Sequence, residues 1–252
     1  MKHQMCLYQM MFIRILKNKR KYNRMKVMKK IAKLFIAGLL SAGISMTAFA
    51  QGITTASAYF KTVSEYYASI KDYEANFDIK ADKQEMSGKL SYKKPDLLRM
   101  DFDSPSDQVI CYNGDMLTVY LPDAAAVLQQ SVKTEGNAAT LATASGLSLM
   151  SRYYTVAYEV GQDPVPLEPD SPEKVIKLVL NRRNTSESFR FIKLAVNAET
   201  KLIRRVEAVT VRGESFIFNF TDYKLNQDLT DQRFIYDPPS SANNYNNFLF
   251  SE

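Results

Sequence analysis

From Ile53 to Ile70 the apolar residues return every three or four positions. Ala56, Phe60, Val63, Tyr67 and Ile70 share one face, with Tyr59 and Tyr66 beside it. That spacing predicts a helix, which Lys71-Asp72 ends. The period then changes to two. Phe77 and Ile79 alternate with polar residues, as do Leu90 and Tyr92. In Leu98-Arg99-Met100-Asp101-Phe102-Asp103 three apolar side chains point one way and three charged ones the other. Strands with one wet face belong to antiparallel sheets. Val109–Tyr112 and Met116–Tyr120 flank Asn113-Gly114-Asp115, whose Asn-Gly supplies the positive φ angles of a tight hairpin. Pro122 stops the second of these strands.

The stretch 133–153 reads differently. Ala138, Leu141, Ala142, Ser145 and Leu149 make a weak helical stripe, so one or two short helices are expected, interrupted near Gly146. Residues 161–172 carry four prolines and read as a loop. Alternation resumes in Lys174–Leu180, Phe189–Asn197, Leu202–Val211 and Glu214–Tyr223, with turns at Glu199-Thr200-Lys201 and Arg212-Gly213. Phe216, Phe218 and Phe220 share one face of the last of these. Phe234-Ile235-Tyr236 reads as a final short strand before Pro238-Pro239. The Asn-rich tail from Ser240 is expected to be loosely held.

The first 50 residues have another character. Met28 to Lys33 are basic, Leu34 to Phe49 are apolar or small, and Ala48-Phe49-Ala50 precedes Gln51. A basic start, an apolar stretch and an A-x-A site, in that order, form a secretory signal peptide. Cleavage after Ala50 and a periplasmic location follow as expectations; the alternative is that the apolar run, about 16 residues and short for a span of about 20, stays uncleaved as an anchor. Residues 1–24 lengthen an already complete leader, so translation from Met25 or Met28 is the simpler reading. The organisation expected is a leader over 1–50, one domain over 51–239 and a polar tail over 240–252. Cys111 is the one cysteine beyond the leader, so N-terminal lipid modification is not available.

Removing the leader reverses the charge. Residues 1–50 hold eleven of the 33 Lys and Arg and none of the 27 Asp and Glu, which leaves 22 positives against 27 negatives. A nucleic-acid partner needs clustered basic side chains on the folded part, and is not expected here. His3 and Cys6 lie in the leader. The remainder therefore has no imidazole for acid–base work and no His/Cys zinc site. No nucleophile elbow or phosphate loop occurs. Asp101, Asp103 and Asp107 occupy ordinary polar-face and turn positions. No metal, no cofactor and no enzymatic activity are expected, and Cys111 reads as a small buried strand residue.

A family resemblance rests on residues 88–122. Gly88-Lys89-Leu90, Lys94-Pro95-Asp96-Leu97-Leu98, Met100-Asp101-Phe102, Pro105, Asn113-Gly114 and Tyr120-Leu121-Pro122 follow in order. Phe234-Ile235-Tyr236-Asp237-Pro238-Pro239 matches at the end, and Tyr73-Glu74-Ala75-Asn76-Phe77 after the first helix. This succession resembles the LolA family of periplasmic lipoprotein carriers. The resemblance implies an α+β fold: an incomplete, half-open antiparallel β-barrel with covering helices as a lid. It also implies a monomer that takes acylated lipoproteins or lipids from an inner-membrane ABC-type exporter and passes them to an outer-membrane receptor. An envelope sensor or regulatory module that binds lipoprotein or glycolipid on the same fold is the alternative. The carriers often place Arg where this chain has Lys94, to hydrogen-bond the lid shut, and Phe where it has Leu98. Met100 stands where a further aromatic is expected.

Carriage suits these residues. Burying an acyl chain gains about 0.8 kcal/mol per CH₂, so a 16-carbon chain gains on the order of 10 kcal/mol before ordering costs. The expected lining of the cavity is Phe77, Leu90, Tyr92, Leu98, Met100, Phe102, Ile110, Leu117, Val119, Phe216, Phe218 and Phe220. The expected lid contacts are Lys94, Leu141 and Leu149.

Overall fold

The computed structural model describes residues 53–131 and 144–246. Helix α1 spans Ala56–Ser69 and buries Ala56, Phe60, Val63 and Tyr67, the stripe read from the sequence. It starts at Thr55, whose backbone is extended and whose Oγ1 accepts from the Ala58 N–H at 3.2 Å. Such a cap satisfies one of the free amides of the first turn. Thr55→Ala should cost about 1 kcal/mol in a urea titration, while Thr55→Ser should stay within a few tenths.

Thirteen strands form one sheet among the described residues. In chain order they are β1 Asp72–Ala81, β2 Gln84–Lys93, β3 Leu97–Ser104, β4 Val109–Tyr112, β5 Met116–Leu121 and β6 Ala126–Ser131. After helix α2, Ala144–Tyr153, come β7 Tyr154–Tyr158, β8 Val165–Pro166, β9 Lys174–Arg182, β10 Phe189–Asn197, β11 Ile203–Thr210, β12 Ser215–Leu225 and β13 Asn243–Asn246. The order across the sheet is β13-β6-β5-β4-β3-β2-β1-β12-β11-β10-β9-β7, with β8 also on β9. Strands β1 to β6 run off one side of β1 as a meander. Helix α2 then carries the chain to the opposite edge, and β7 to β12 return to pair with β1. The sheet stays open, because β13 and β7 end it without meeting.

The sheet wraps round the two helices as a half-open antiparallel barrel. One apolar cluster joins Phe60, Val63 and Tyr67 of α1, Leu147 and Met150 of α2, Leu117 and Leu128 of one flank, and Leu178 and Ile192 of the other. This is the concave side.

The convex side of β2–β6 is covered too. After β12 the chain turns at Asn226 and Asp228, both at positive φ (52° and 57°), which short polar side chains tolerate. It then meets the strands in sequence. The Gln227 N–H donates to the buried Asp72 carboxylate of β1, and Lys93 of β2 pairs with Asp231. Arg233 donates to Ser91 Oγ of β2 and pairs with Asp101 of β3. Arg99 of β3 donates to the Arg233 and Ile235 carbonyls, and the Cys111 thiol of β4 to the Phe234 carbonyl. The Tyr236 ring lies 6.2 Å from Tyr120 of β5, and β13 pairs in parallel with β6. Phe234 is buried, as are Val109, Cys111 and Val127, and none of the four belongs to the main cluster.

This strap corrects three readings. Phe234-Ile235-Tyr236 is not a strand: a 3₁₀ turn covers Asp231–Phe234 and the next residues are extended but unpaired. Asn243–Asn246 of the tail pair with β6 as β13. Arg99 and Asp101 do not simply face water, because each is an anchor of the strap, while Asp103 is exposed as expected. Helix α2 runs through Gly146 without interruption. The expected helical positions Ala138, Leu141 and Ala142 lie outside the described residues.

Candidate functional site

The concave side gathers the residues singled out by alternation. Phe77, Leu90, Tyr92, Leu98, Met100, Phe102, Ile110, Leu117, Val119 and Phe220 are buried in the main cluster, and Phe216 and Phe218 pack against it half-buried. Register accounts for the grouping: Phe77 faces Phe220, Ile79 faces Phe218, Leu90 faces Met100 and Tyr92 faces Leu98.

The two ends of this surface differ. Where α1 meets β1, four tyrosines fill the space. The Tyr73 ring lies 6.3, 5.2 and 5.6 Å from those of Tyr67, Tyr92 and Tyr223. The hydroxyls of Tyr67 and Tyr223 close a ring through the backbone N–H and C=O of one residue, Ile203. The Ile203 N–H donates to Tyr67 Oη at 2.9 Å and Tyr223 Oη donates to the Ile203 carbonyl at 2.8 Å. A longer contact of 3.5 Å joins the two hydroxyls, leaving Tyr67 as its donor. At the far end, by the β1–β2 and β11–β12 hairpins, Met86, Phe216 and Phe218 are only half-buried. The concave face is thus filled at the tyrosine end and less completely covered at the hairpin end.

Burial pushes the Tyr67 and Tyr92 hydroxyls up to about 12, and those of Tyr73 and Tyr223 well above the usual 10. The folded state holds these protons more firmly than the unfolded chain does. The resulting stability is fully present below about pH 10 and is lost as pH rises through the folded values. The urea midpoint should therefore fall steeply above about pH 10, with tyrosinate absorbance rising as the protein unfolds. Tyr92→Phe should make that fall shallower.

A different cavity, of about 170 Å³, lies on the convex side at the β1 bulge. Glu74, Asn76, Lys89, Asp222 and Lys224 line it with Ala75. Its charged wall suits no hydrocarbon. Among the described residues no group of His, Cys, Asp and Glu could hold a metal.

Residues 69–237 match the model of the family described as outer membrane lipoprotein carrier protein LolA. The chain belongs to the LolA family. Its relatives include outer-membrane lipoprotein carrier proteins from three organisms. That of Haemophilus ducreyi is 27% identical over 217 residues, 82% of this chain and 98% of its own. That of Coxiella burnetii strain CbuK_Q154 is 27% identical over 184 residues, 70% and 81%. That of Pseudomonas paraeruginosa is 25% identical over 157 residues, 62% and 69%. Among solved structures, a LolA superfamily protein from Nitrosomonas europaea is 17% identical with a TM-score of 0.39, covering 73% of this chain and 98% of its own. An uncharacterized conserved protein from Thermus thermophilus is 14% identical with a TM-score of 0.49, covering 74% and 96%.

Within this LolA-family chain, Lys94 Nζ donates to the Ala68 carbonyl in the last turn of α1. That carbonyl has no partner inside the helix, and a cation there also complements the helix dipole. Leu98 and Met100 sit side by side on β3, facing Tyr112 and Ile110 of β4. Leu141 lies outside the described residues, and Leu149 is half-buried. Among the described α2 side chains, Leu147 and Met150 are buried in the core. Neither stood out in the sequence, because a single glycine-containing turn gave too short a stripe to phase the helix.

Proposed function

We propose that the exported part of this chain is a periplasmic carrier that holds the acyl chains of lipoproteins, or of related lipids, against the concave face of the open barrel. The observation that supports it most is the unbroken apolar lining beneath two helices, in a member of a carrier family. Twelve residues are assigned to the ligand: Phe77, Leu90, Tyr92, Leu98, Met100, Phe102, Ile110, Leu117, Val119, Phe216, Phe218 and Phe220. Half-buried Met86, Phe216 and Phe218 offer the chain an apolar way in, and methionine adapts to ligands of varied shape. Lys94 ties α1 to the β2–β3 turn, and with α2 this helix forms the cover that must shift for loading. Loading from an inner-membrane ABC-type exporter and delivery to an outer-membrane receptor complete the reading. No step of it is catalytic. Cleavage after Ala50 releases the carrier, and N-terminal sequencing of the exported protein should begin at Gln51.

The test is to isolate the protein from its native envelope and identify its cargo by mass spectrometry. Acylated peptides or diacyl lipids are expected in the wild type and should be lost in Met100→Lys, which buries a charge among the lining residues. A protein that returns empty, with outer-membrane lipoproteins correctly placed in a deletion strain, would overturn the proposal. Capture of a membrane-bound regulator with no exporter would point instead to a sensor.

A further inference from the structure

Tyr59 Oη is buried and has no hydrogen-bond partner, alone among the buried side-chain polar atoms of the described residues. A buried hydroxyl ordinarily finds a partner, and one that does not forfeits the bond it made to water. Its position adds to the anomaly. Tyr59 flanks the apolar face of α1 and packs against the main cluster. Its ring lies 6.5 Å from that of Tyr158 on edge strand β7. Tyr158 already donates its own proton to the Thr54 carbonyl at 2.9 Å. The seam of α1 and β7 therefore holds a proton donor directed at nothing in the described chain.

Three features describe the acceptor it would take. It is uncharged, because the Tyr59 hydroxyl is buried and a charge brought to it would be costly to desolvate. It is attached to something apolar, because the surroundings are core. It reaches the rim of the concave face, beneath a covering helix. The first carbonyl of an acyl chain meets all three conditions, since the methylene run ends there and the polar head begins. Tyrosine suits such a junction, with an apolar body and one polar tip. We propose that Tyr59 donates to the ester carbonyl of the bound acyl chain and so sets its depth under α1. This rests on the carrier reading and gives it a specificity-determining residue. Burial also raises the hydroxyl to about 12, so it stays a donor across the physiological range.

The experiment compares an ester-linked dioleoyl phosphatidylglycerol with its ether-linked dialkyl twin. Both compete for the purified protein against a fluorescent naphthalene probe. The wild type should bind the ester about ten-fold more tightly, the effect of one hydrogen bond of about 1.4 kcal/mol. Tyr59→Phe should bind both lipids as the wild type binds the ether. Its urea midpoint should be no lower than that of the wild type, because it loses only an unpaired group. A wild type that binds both lipids equally, or a variant that keeps the preference, overturns the assignment and leaves carriage standing. A variant that loses stability does the same, by showing that the hydroxyl already has a partner. A wild type that binds neither lipid overturns the carrier reading and this inference with it.

Discussion

Gly88→Ala is expected to destabilise the protein by about 3 kcal/mol or more, a large share of the roughly 5–15 kcal/mol that holds a domain folded. Gly88 lies on β2 between Phe77 of β1 and Phe102 of β3. The two rings meet over it edge to face, with centroids 5.0 Å apart. A Cβ at this position would fall 2.1 Å from the Asp101 carbonyl oxygen, 2.8 Å from Phe102 Cα and 2.9 Å from the Phe77 ring. Two of those atoms are backbone, so no change of rotamer relieves the clash. Either β3 must move away, which breaks ladder bonds at the register shift beside Ser87, or Gly88 must leave the ladder. A glycine inside a strand often marks such a close approach. The check is a urea titration of the variant beside the wild type. A loss under about 1 kcal/mol, the size of an ordinary substitution, would mean that β3 yields easily and that the two rings are not pressed onto the β2 backbone.

That glycine shows what the sequence makes legible. Gly88 was visible as the head of a recurring motif, but its necessity comes from a neighbouring carbonyl that belongs to another strand. The same division runs through the molecule. Helix α1 was readable because five apolar residues at helical spacing survive burial on a single face. Strands β3, β4, β5 and β10 were readable because alternation or an Asn-Gly turn marks them locally. β6, Ala126–Ser131, is an apolar run followed by two glutamines and shows no alternation. β7, Tyr154–Tyr158, alternates over only five residues, with Tyr154, Val156 and Tyr158 on the more buried face. The first pattern does not separate inside from outside, and the second is too short to stand apart from the helical stripe before it.

The concave lining was legible for the same reason. When one face of a strand is buried, a slip of one residue would send every apolar side chain to water, so the pattern fixes which residues share a side. Phe216 and Phe218 mark the limit of that logic. They follow the alternation of Phe220 yet stay half-buried, because cover at the hairpin end is a property of the assembled barrel. The unpaired hydroxyl of Tyr59 lies beyond the pattern altogether. A flanking tyrosine on a helix looks the same whether or not its proton has a partner. The strap was hidden by a further effect. Arg99 and Asp101 alternate with apolar neighbours as solvent-facing residues do, and only the return of the chain more than 130 positions later makes them anchors.

Phe234→Ala should remove about 3–5 kcal/mol, the usual cost of deleting a fully buried phenylalanine ring. Phe234 is 1% exposed, and the convex-side residues Val109, Cys111 and Val127 are buried too. The polar half of the strap depends on this ring. Arg99 and Arg233 converge on Asp101 with side chains that keep some contact with water, so their ion pairs alone contribute modestly. The buried ring is the element that makes the strap part of the core. Cys111 reports on this directly, because it is the free cysteine under the strap and its thiol donates to the Phe234 carbonyl. Burial raises that thiol to about 11, which keeps it unreactive at about pH 8. Phe234→Ala should therefore speed labelling of Cys111 by a disulfide reagent by at least about ten-fold in the absence of denaturant, as an opened strap exposes the sulfur. Tyr245→Ala, on the exposed strand β13, should change neither stability nor labelling by a comparable amount. A stable Phe234 variant with a still-protected thiol would show that the ion pairs hold the strap without the ring. A destabilised variant with an accessible thiol would show that apolar burial holds the strap against the convex side of this barrel.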